Sequence, residues 1–134
     1  MNENNYGIGK RAIKFRVAWN GIVSINSFNI GEFWEREVEL EFANGETLPF
    51  GDIDWENDTV QYLQYTGLLD KHGKEIYEAD ITSLHCGVVT FDEGSFGIEY
   101  KDRFDEATSC ELIFQNKHVE VIGNVFENPS LLEK

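Results

Sequence analysis

The stretch GVVTFDEGSFGIEYKDRFDEATSCELIFQNKHVEVI, residues 87–122, decides the fold class. Four short runs rich in β-branched and aromatic residues recur in it, at 87–91, 95–100, 110–114 and 119–122. Asp92-Glu93-Gly94 reads as a hairpin turn between the first two, and Gln115-Asn116-Lys117-His118 as the link between the last two. The longer connection, 101–109, is polar and is expected to be mobile. Helical periodicity is almost absent from the chain. Short strands at this spacing predict a small barrel or sandwich.

Upstream, Asp70-Lys71-His72-Gly73 reads as a tight turn, with Gly73 supplying the positive φ. Residues 60–65 form a short strand or a single helical turn, and 75–81 continue extended. GDIDWENDT, residues 51–59, is a polar loop and the one candidate boundary. Residues 37–42, EVELEF, alternate most clearly of all, with Val38, Leu40 and Phe42 inward. Asn44-Gly45 then signals a hairpin whose return strand is cut short by Pro49. Residues 13–17 alternate apolar and basic, which places Lys14 and Arg16 in water; Asn20-Gly21 turns the chain, and 23–28 alternate again. Downstream, 124–129 read as a turn, and Ser130-Leu131-Leu132 as one more helical turn.

The chain has 134 residues, enough for one domain with a real core. Its net charge is −14, unevenly placed. Residues 1–31 hold Lys10, Arg11, Lys14 and Arg16 against Glu3, whereas 32–58 hold ten acids against Arg36. Such a field repels nucleic-acid phosphates and anionic membranes, and it suits a basic protein partner or simple solubility. No nucleic acid and no membrane are expected as partners. The opening residues lack an apolar signal core, and no apolar run approaches a bilayer span of ~20 residues. A cytoplasmic protein is expected. Cys86 and Cys110 form no CxxC pair or Cys/His cluster, so they are expected to be reduced and mostly buried.

The candidate chemistry is sparse. Asp52, Asp54, Glu56 and Asp58 space oxygens as a calcium loop would, but Asn57 and Leu63 stand where the loop Gly and bidentate Glu belong. Glu35, Glu37, Glu39 and Glu41 share one strand face with about 7 Å between neighbours. That row is a solvated, edge-blocking stripe or a protein-binding one. His72, His85 and His118 are scattered; His85 and Cys86 are read as adjacent strand residues that point to opposite faces, which disfavours a Cys/His nucleophile pair. A pairing of Cys110 with His85 or His118 stays open. Ser83, Ser95 and Ser109 have no motif around them, and Gly7-Ile8-Gly9-Lys10 lacks phosphate-loop spacing. Tyr62, Tyr65, Phe91, Phe96, Tyr100 and Phe114 are read as packing rather than base-stacking residues, because their surroundings are acidic. Trp19, Trp34 and Trp55 are candidate interface residues. No catalytic residue, metal ligand or cofactor is assigned.

The segment LQYTGLLDKHGKEIYEADI, residues 63–81, with VIGNVFENPSLLEK, residues 121–134, resembles the YopX-like family. Gln64 to Leu68, Asp70, Lys71 and Gly73 to Glu78, with Asp80, follow that family's pattern, as do Val121 to Asn124 and Glu127 to Pro129. Val125 and Phe126 replace its Ile-Tyr conservatively. Ala79 departs where the family has Gly, and at a positive φ this residue would be strained. The resemblance implies a phage or prophage setting and an SH3-like barrel in the C-terminal part, and brings no catalytic residues. Asp70, Gly73 and Asn128-Pro129 would serve turns, and Glu78 and Asp80 would hold backbone groups.

The expected fold is mainly β, with N-terminal antiparallel β-strands packed with a C-terminal SH3-like β-barrel. The chain is read as one unit, 1–134, with an N-terminal subregion 1–60 and the signature and barrel over 61–134. The expected function is that of a non-enzymatic accessory protein of the phage or prophage type whose partner is a protein. Two alternatives are an acidic nucleic-acid mimic that inhibits a basic host or defence protein, and a metal-dependent hydrolase using residues 52–58.

Overall fold

The computed structural model describes residues 13–29 and 38–133, and these are mainly β. Strand β1 (Lys14–Trp19) buries Val17 completely. Asn20 and Gly21, both at positive φ, turn the chain into β2 (Ile22–Val23). The alternation at 23–28 does not make one strand. Ser24 bridges to Phe42, and β3 (Phe28–Asn29) pairs with the far end of β1. The break has a local cause. Ser24 Oγ accepts the Val17 N–H at 3.0 Å, and the Asn26 amide bonds Glu39 O and Glu41 N. These side-chain bonds replace a ladder and cover the margin of the next strand.

That strand, β4 (Glu39–Glu41), returns as β5 (Thr47–Pro49) through the Asn44-Gly45 turn and ends at Pro49, as its sequence predicts. Strand β6 (Val60–Leu69) is ten residues long, not a helical turn. It pairs with β1 from Phe15↔Gln64 to Trp19↔Val60, and its far end pairs with β7 (Glu75–Tyr77). The first sheet is therefore β2-β1-β6-β7, with β3 on β1. Val17, Phe28, Val38, Leu40, Phe42, Phe50 and Ile53 form its core. Lys14 and Arg16 are not simply in water. Lys14 Nζ donates to Glu75 Oε2 at 2.6 Å, and the Arg16 guanidinium lies 4.2 Å from the Tyr77 ring centre. Tyr65, Glu75 and Tyr77 cover this face of β1, which a one-strand alternation argument leaves open to solvent.

The second sheet is a curled half-barrel. It contains β8 (Asp80–Thr82), β9 (Val88–Asp92), β10 (Ser95–Lys101), β11 (Ala107–Glu111) and β12 (Val121–Asn124), ordered β11-β10-β9-β8-β12. The β9–β10 hairpin turns at Glu93-Gly94 as expected. The expected strand at 110–114 and the hairpin at Gln115–His118 are not formed. The strand ends at Glu111; a helical turn, Leu112–Gln115, and a 3₁₀ turn, Asn116–His118, then carry the chain over to β8. Leu112 is fully buried, and the Asn116 amide donates to Leu69 O at 2.7 Å. Burial and that bond hold a turn where local pattern favours strand. The connection after β10 is also tighter than expected, because the Asp102 carboxylate accepts the Phe104 and Glu106 N–H groups. Ile76, Val89, Ile98, Leu112, Val119 and Val121 form the second core. Cys86 and Cys110 are free, but half-buried rather than mostly buried.

Between β7 and β8 the extended run breaks at Ala79, whose φ is 71°. This is the left-handed region, which costs an L residue roughly 1–2 kcal/mol. Glycine avoids that strain but loses the methyl that packs near Ala18, Val23, Leu63 and Phe126. Ala79→Gly is expected to raise stability by about 0.5–1 kcal/mol in urea unfolding, while Ala79→Val lowers it. A Gly variant less stable than the wild type would show that packing of the methyl outweighs the backbone strain.

Candidate functional site

Several polar residues of the segments that give the chain its recognisable signature are spent on backbone groups, while Glu75 bonds the side chains of Lys14 and Tyr77. Asp70 is buried, with 5% exposure. Its Oδ1 accepts the His72 and Lys74 N–H groups, and its Oδ2 accepts that of Val121, each at 2.9 Å. One carboxylate thus closes the Gly73 turn, where φ is +82°, and clamps β12 against it. Burial alone would raise this carboxyl, but the three N–H groups hold it below its ordinary value. Glu78 accepts from Gln64 N at 2.9 Å, and Asp80 from Tyr77 N at 2.8 Å. Asn124 Oδ1 accepts from Phe126 and Glu127, and Asn128 Oδ1 accepts from Asn124 N. Glu127 reaches the first sheet, where it accepts the Val23 N–H at 2.9 Å. The closing motif therefore ties the two sheets together.

The acidic loop likewise spends two of its carboxylates on hydrogen bonds, although Asp52, Asp54 and Glu56 are exposed. Asp54 accepts from Asn57 Nδ2 at 2.8 Å and from the backbone of Glu56 and Asn57; the Asn57 amide leads in lowering its pKa. Asp58 accepts from the Trp19 indole at 2.9 Å, from Asn20 and from Asp54 N, and the indole leads in lowering its pKa. Asp58 thus ties the loop to β1, and Asp54 closes the loop on itself. Among the described residues, no three His, Cys, Asp or Glu side chains are grouped to hold a metal. Of the glutamate row, Glu39 and Glu41 are exposed on β4, while Glu35 and Glu37 lie outside the described residues, as do Lys10, Arg11 and Trp34. Trp19 is half-buried, whereas Trp55 is 56% exposed.

The aromatic residues divide. Phe96 and Tyr100 pack on the second core, and Tyr65 stacks near Tyr77. Phe91 and Phe114 do not pack inside; they are 53% and 74% exposed. His72 lies 3.7 Å from Glu120, and His118 ends an exposed 3₁₀ turn. Cys110 packs on the second core, with burial raising its thiol pKa.

The histidine and cysteine at 85 and 86 behave differently from the strand expectation. Both have left-handed φ, 53° and 54°, so they form a turn before β9 and line the same cleft. No local signal in Leu84-His85-Cys86-Gly87 announces two such residues in succession. Gly87 sets the turn, because a Cβ there would meet Ile98 at 2.4 Å. The cleft has a volume of about 880 Å³ and lies between the β9–β11 face and the C-terminal tail. Val88, Glu99, Lys101 and Ser109 line one side, and Leu131 and Leu132 the other. His85 stacks on Tyr100 at 5.1 Å in its wall. Leu131 is half-buried there, and Leu132 is 43% exposed. No helix among the described residues is long and apolar enough to cross a membrane.

No curated protein matches the chain. The family model described as YopX protein matches residues 18–133, nearly the whole chain, and includes every clamp residue of the two signature segments. The chain belongs to the YopX protein family.

Proposed function

We propose that this chain is a phage- or prophage-type accessory protein that acts as a non-enzymatic protein-binding module in the cytoplasm. One observation carries the reading. Six polar residues of the family signature, Asp70, Glu78, Asp80, Asn124, Glu127 and Asn128, bond backbone groups, and a seventh, Glu75, bonds the side chains of Lys14 and Tyr77. The signature is thus a folding signature, and chemistry is left to the exposed surface. The chain is acidic, with eleven Lys and Arg against twenty-five Asp and Glu, and its described surface carries exposed Phe and Ile side chains. Exposed apolar side chains that cluster, as Ile113 and Phe114 do in sequence, mark interaction surfaces.

The C-terminal sheet supports an SH3-like reading. β8, β9, β10 and β11 run as a meander; helical and 3₁₀ turns follow, and β12 returns to β8. Glu39 and Glu41 are exposed on one face of β4, and Glu35 and Glu37 lie outside the described residues; the nucleic-acid mimic stays the alternative reading.

Purification of the tagged chain from infected or lysogenic cells, with cross-linking and mass spectrometry, tests the module. One stoichiometric protein partner whose retention falls as salt rises is expected. Turnover of phosphodiester or peptide substrates, lost on adding a chelator, would replace this reading with the hydrolase. Micromolar binding to DNA or RNA at ~150 mM salt would end it as well.

A further inference from the structure

We propose that the outer edge of β11, with the cleft beside it, takes up an extended, positively charged segment of a partner protein by strand addition. The proposal rests on the protein-binding reading above and gives it a place and a partner chemistry.

The edge is open. In the second sheet β11 pairs only with β10. Asp102 N donates to Glu106 O at 2.9 Å, which sets the antiparallel alternation. Thr108 and Cys110 then bond toward β10, and the N–H and C=O groups of Ala107, Ser109 and Glu111 point outward. Among the described residues, no hydrogen bond reaches the outward groups of Ala107 and Ser109, while Glu111 is the N-cap of the helical turn that follows. The opposite margin differs, because there Asp70 and the Lys71 N–H hold β12 at Val121 and Val119. The β4 margin is capped by Asn26. β11 reads Ala-Thr-Ser-Cys-Glu in unshifted register, with no Lys, Pro or bulge to discourage pairing.

The surroundings fit an incoming strand. The cleft runs along Ala107, Thr108 and Ser109, with Val88 and Leu131 as apolar walls. Large apolar side chains stand exposed at both ends of the edge. Phe104 precedes it at 70% exposure, and Ile113 and Phe114 follow at 63% and 74%. Charge selects the occupant. Glu99, Asp105 and Glu133 line the cleft, and Glu106 and Glu111 flank the strand. Lys101 is the cleft's lysine, and it sits 3.8 Å from Asp105. A strand carrying Arg or Lys among apolar residues would gain main-chain bonds, apolar contact and opposite charge together. A second copy of this chain, with net charge −14, would bring like charge instead.

The test is an amide-resolved NMR titration of the full chain at ~150 mM salt. The probes are a short peptide alternating Arg and Val, the same peptide with alternate backbone N-methyl groups, and a Glu-Val counterpart. The Arg-Val peptide is expected to bind saturably and shift the amides of 107–111. N-methylation keeps its charge but removes main-chain pairing, and should weaken it at least about tenfold. Ser109→Pro removes one outward N–H at an edge position that tolerates proline, and should weaken binding while the other amides keep their positions. Absent binding, binding indifferent to N-methylation, or shifts centred on Glu39 and Glu41 would overturn the proposal. A cellular partner held equally by wild-type and Ser109→Pro chains would overturn the edge and leave the protein-binding reading standing. Absence of any partner in that purification is the separate failure of the reading itself.

Discussion

Asp70→Ala is expected to destabilise the protein by about 3–5 kcal/mol in urea unfolding, close to the loss of a whole small domain's margin. The reason is bond accounting. The carboxylate accepts N–H groups from His72, Lys74 and Val121, and it is buried. Alanine leaves these donors without their acceptor, and the Val121 N–H is buried. Asp70→Asn separates charge from acceptor count. Its single oxygen can serve the His72 and Lys74 groups, but its amide would face the Val121 N–H donor to donor. An intermediate loss is expected, with the largest NMR shifts at Val119 to Val121. The Asp70 carboxyl is held below its ordinary pKa, so its stabilisation is present above the unfolded value near 4 and fades as pH falls through the lower folded value. An exposed control, Glu41→Ala, should stay within ~0.5 kcal/mol. A loss below ~1 kcal/mol for Asp70→Ala would show that the turn and β12 hold without the clamp.

Asp80 is expected to give the opposite pH dependence. It is 3% exposed, and burial pushes its carboxyl up to about 6, against an opposing bond from the Tyr77 N–H and the charges of Arg16 and Lys74. The unfolded group titrates near 3.9. Its stabilising contribution is therefore complete below about pH 4 and is lost as pH rises through about 6. The two-unit difference corresponds to about 2–3 kcal/mol. Asp80→Asn keeps an acceptor for Tyr77 N and removes the buried charge. Near pH 7.5 this variant should be more stable than the wild type by about 2 kcal/mol, and the gain should shrink toward pH 4.5. Unfolding curves compared across this range check it. Parallel profiles for the two chains would show that Arg16 and local water already compensate the charge.

Much of the β architecture was legible in local signals. Val38, Leu40 and Phe42 alternate inward, and all three are buried. Asn20-Gly21, Asn44-Gly45 and Glu93-Gly94 turn the chain where their backbone preferences say they should. Gly73 takes the positive φ its turn requires, and Ala79 takes the same conformation without glycine's freedom. The candidate site was far less legible. His85 and Cys86 were read as neighbours on a strand, but successive left-handed residues place both on one cleft. The acidic loop could be read as a cation site because spacing does not say which donors its oxygens meet.

The sequence by itself determined the glycine turns at Asn20-Gly21, Asn44-Gly45, Gly73 and Glu93-Gly94, the inward face of Val38, Leu40 and Phe42, and the membership in a family, because these depend on contacts a few residues apart and on a long motif. Tertiary structure decided the rest. The segment 110–114 has strand-like residues, yet Leu112 is pulled into the second core and Asn116 bonds Leu69 O, so the chain turns there and frees β11 as an edge. Strand β12 pairs with β8 because Asp70, fifty-one residues upstream of Val121, supplies its acceptor. Such bonds join residues far apart in the chain, and local periodicity carries no record of which distant donor a carboxylate will find.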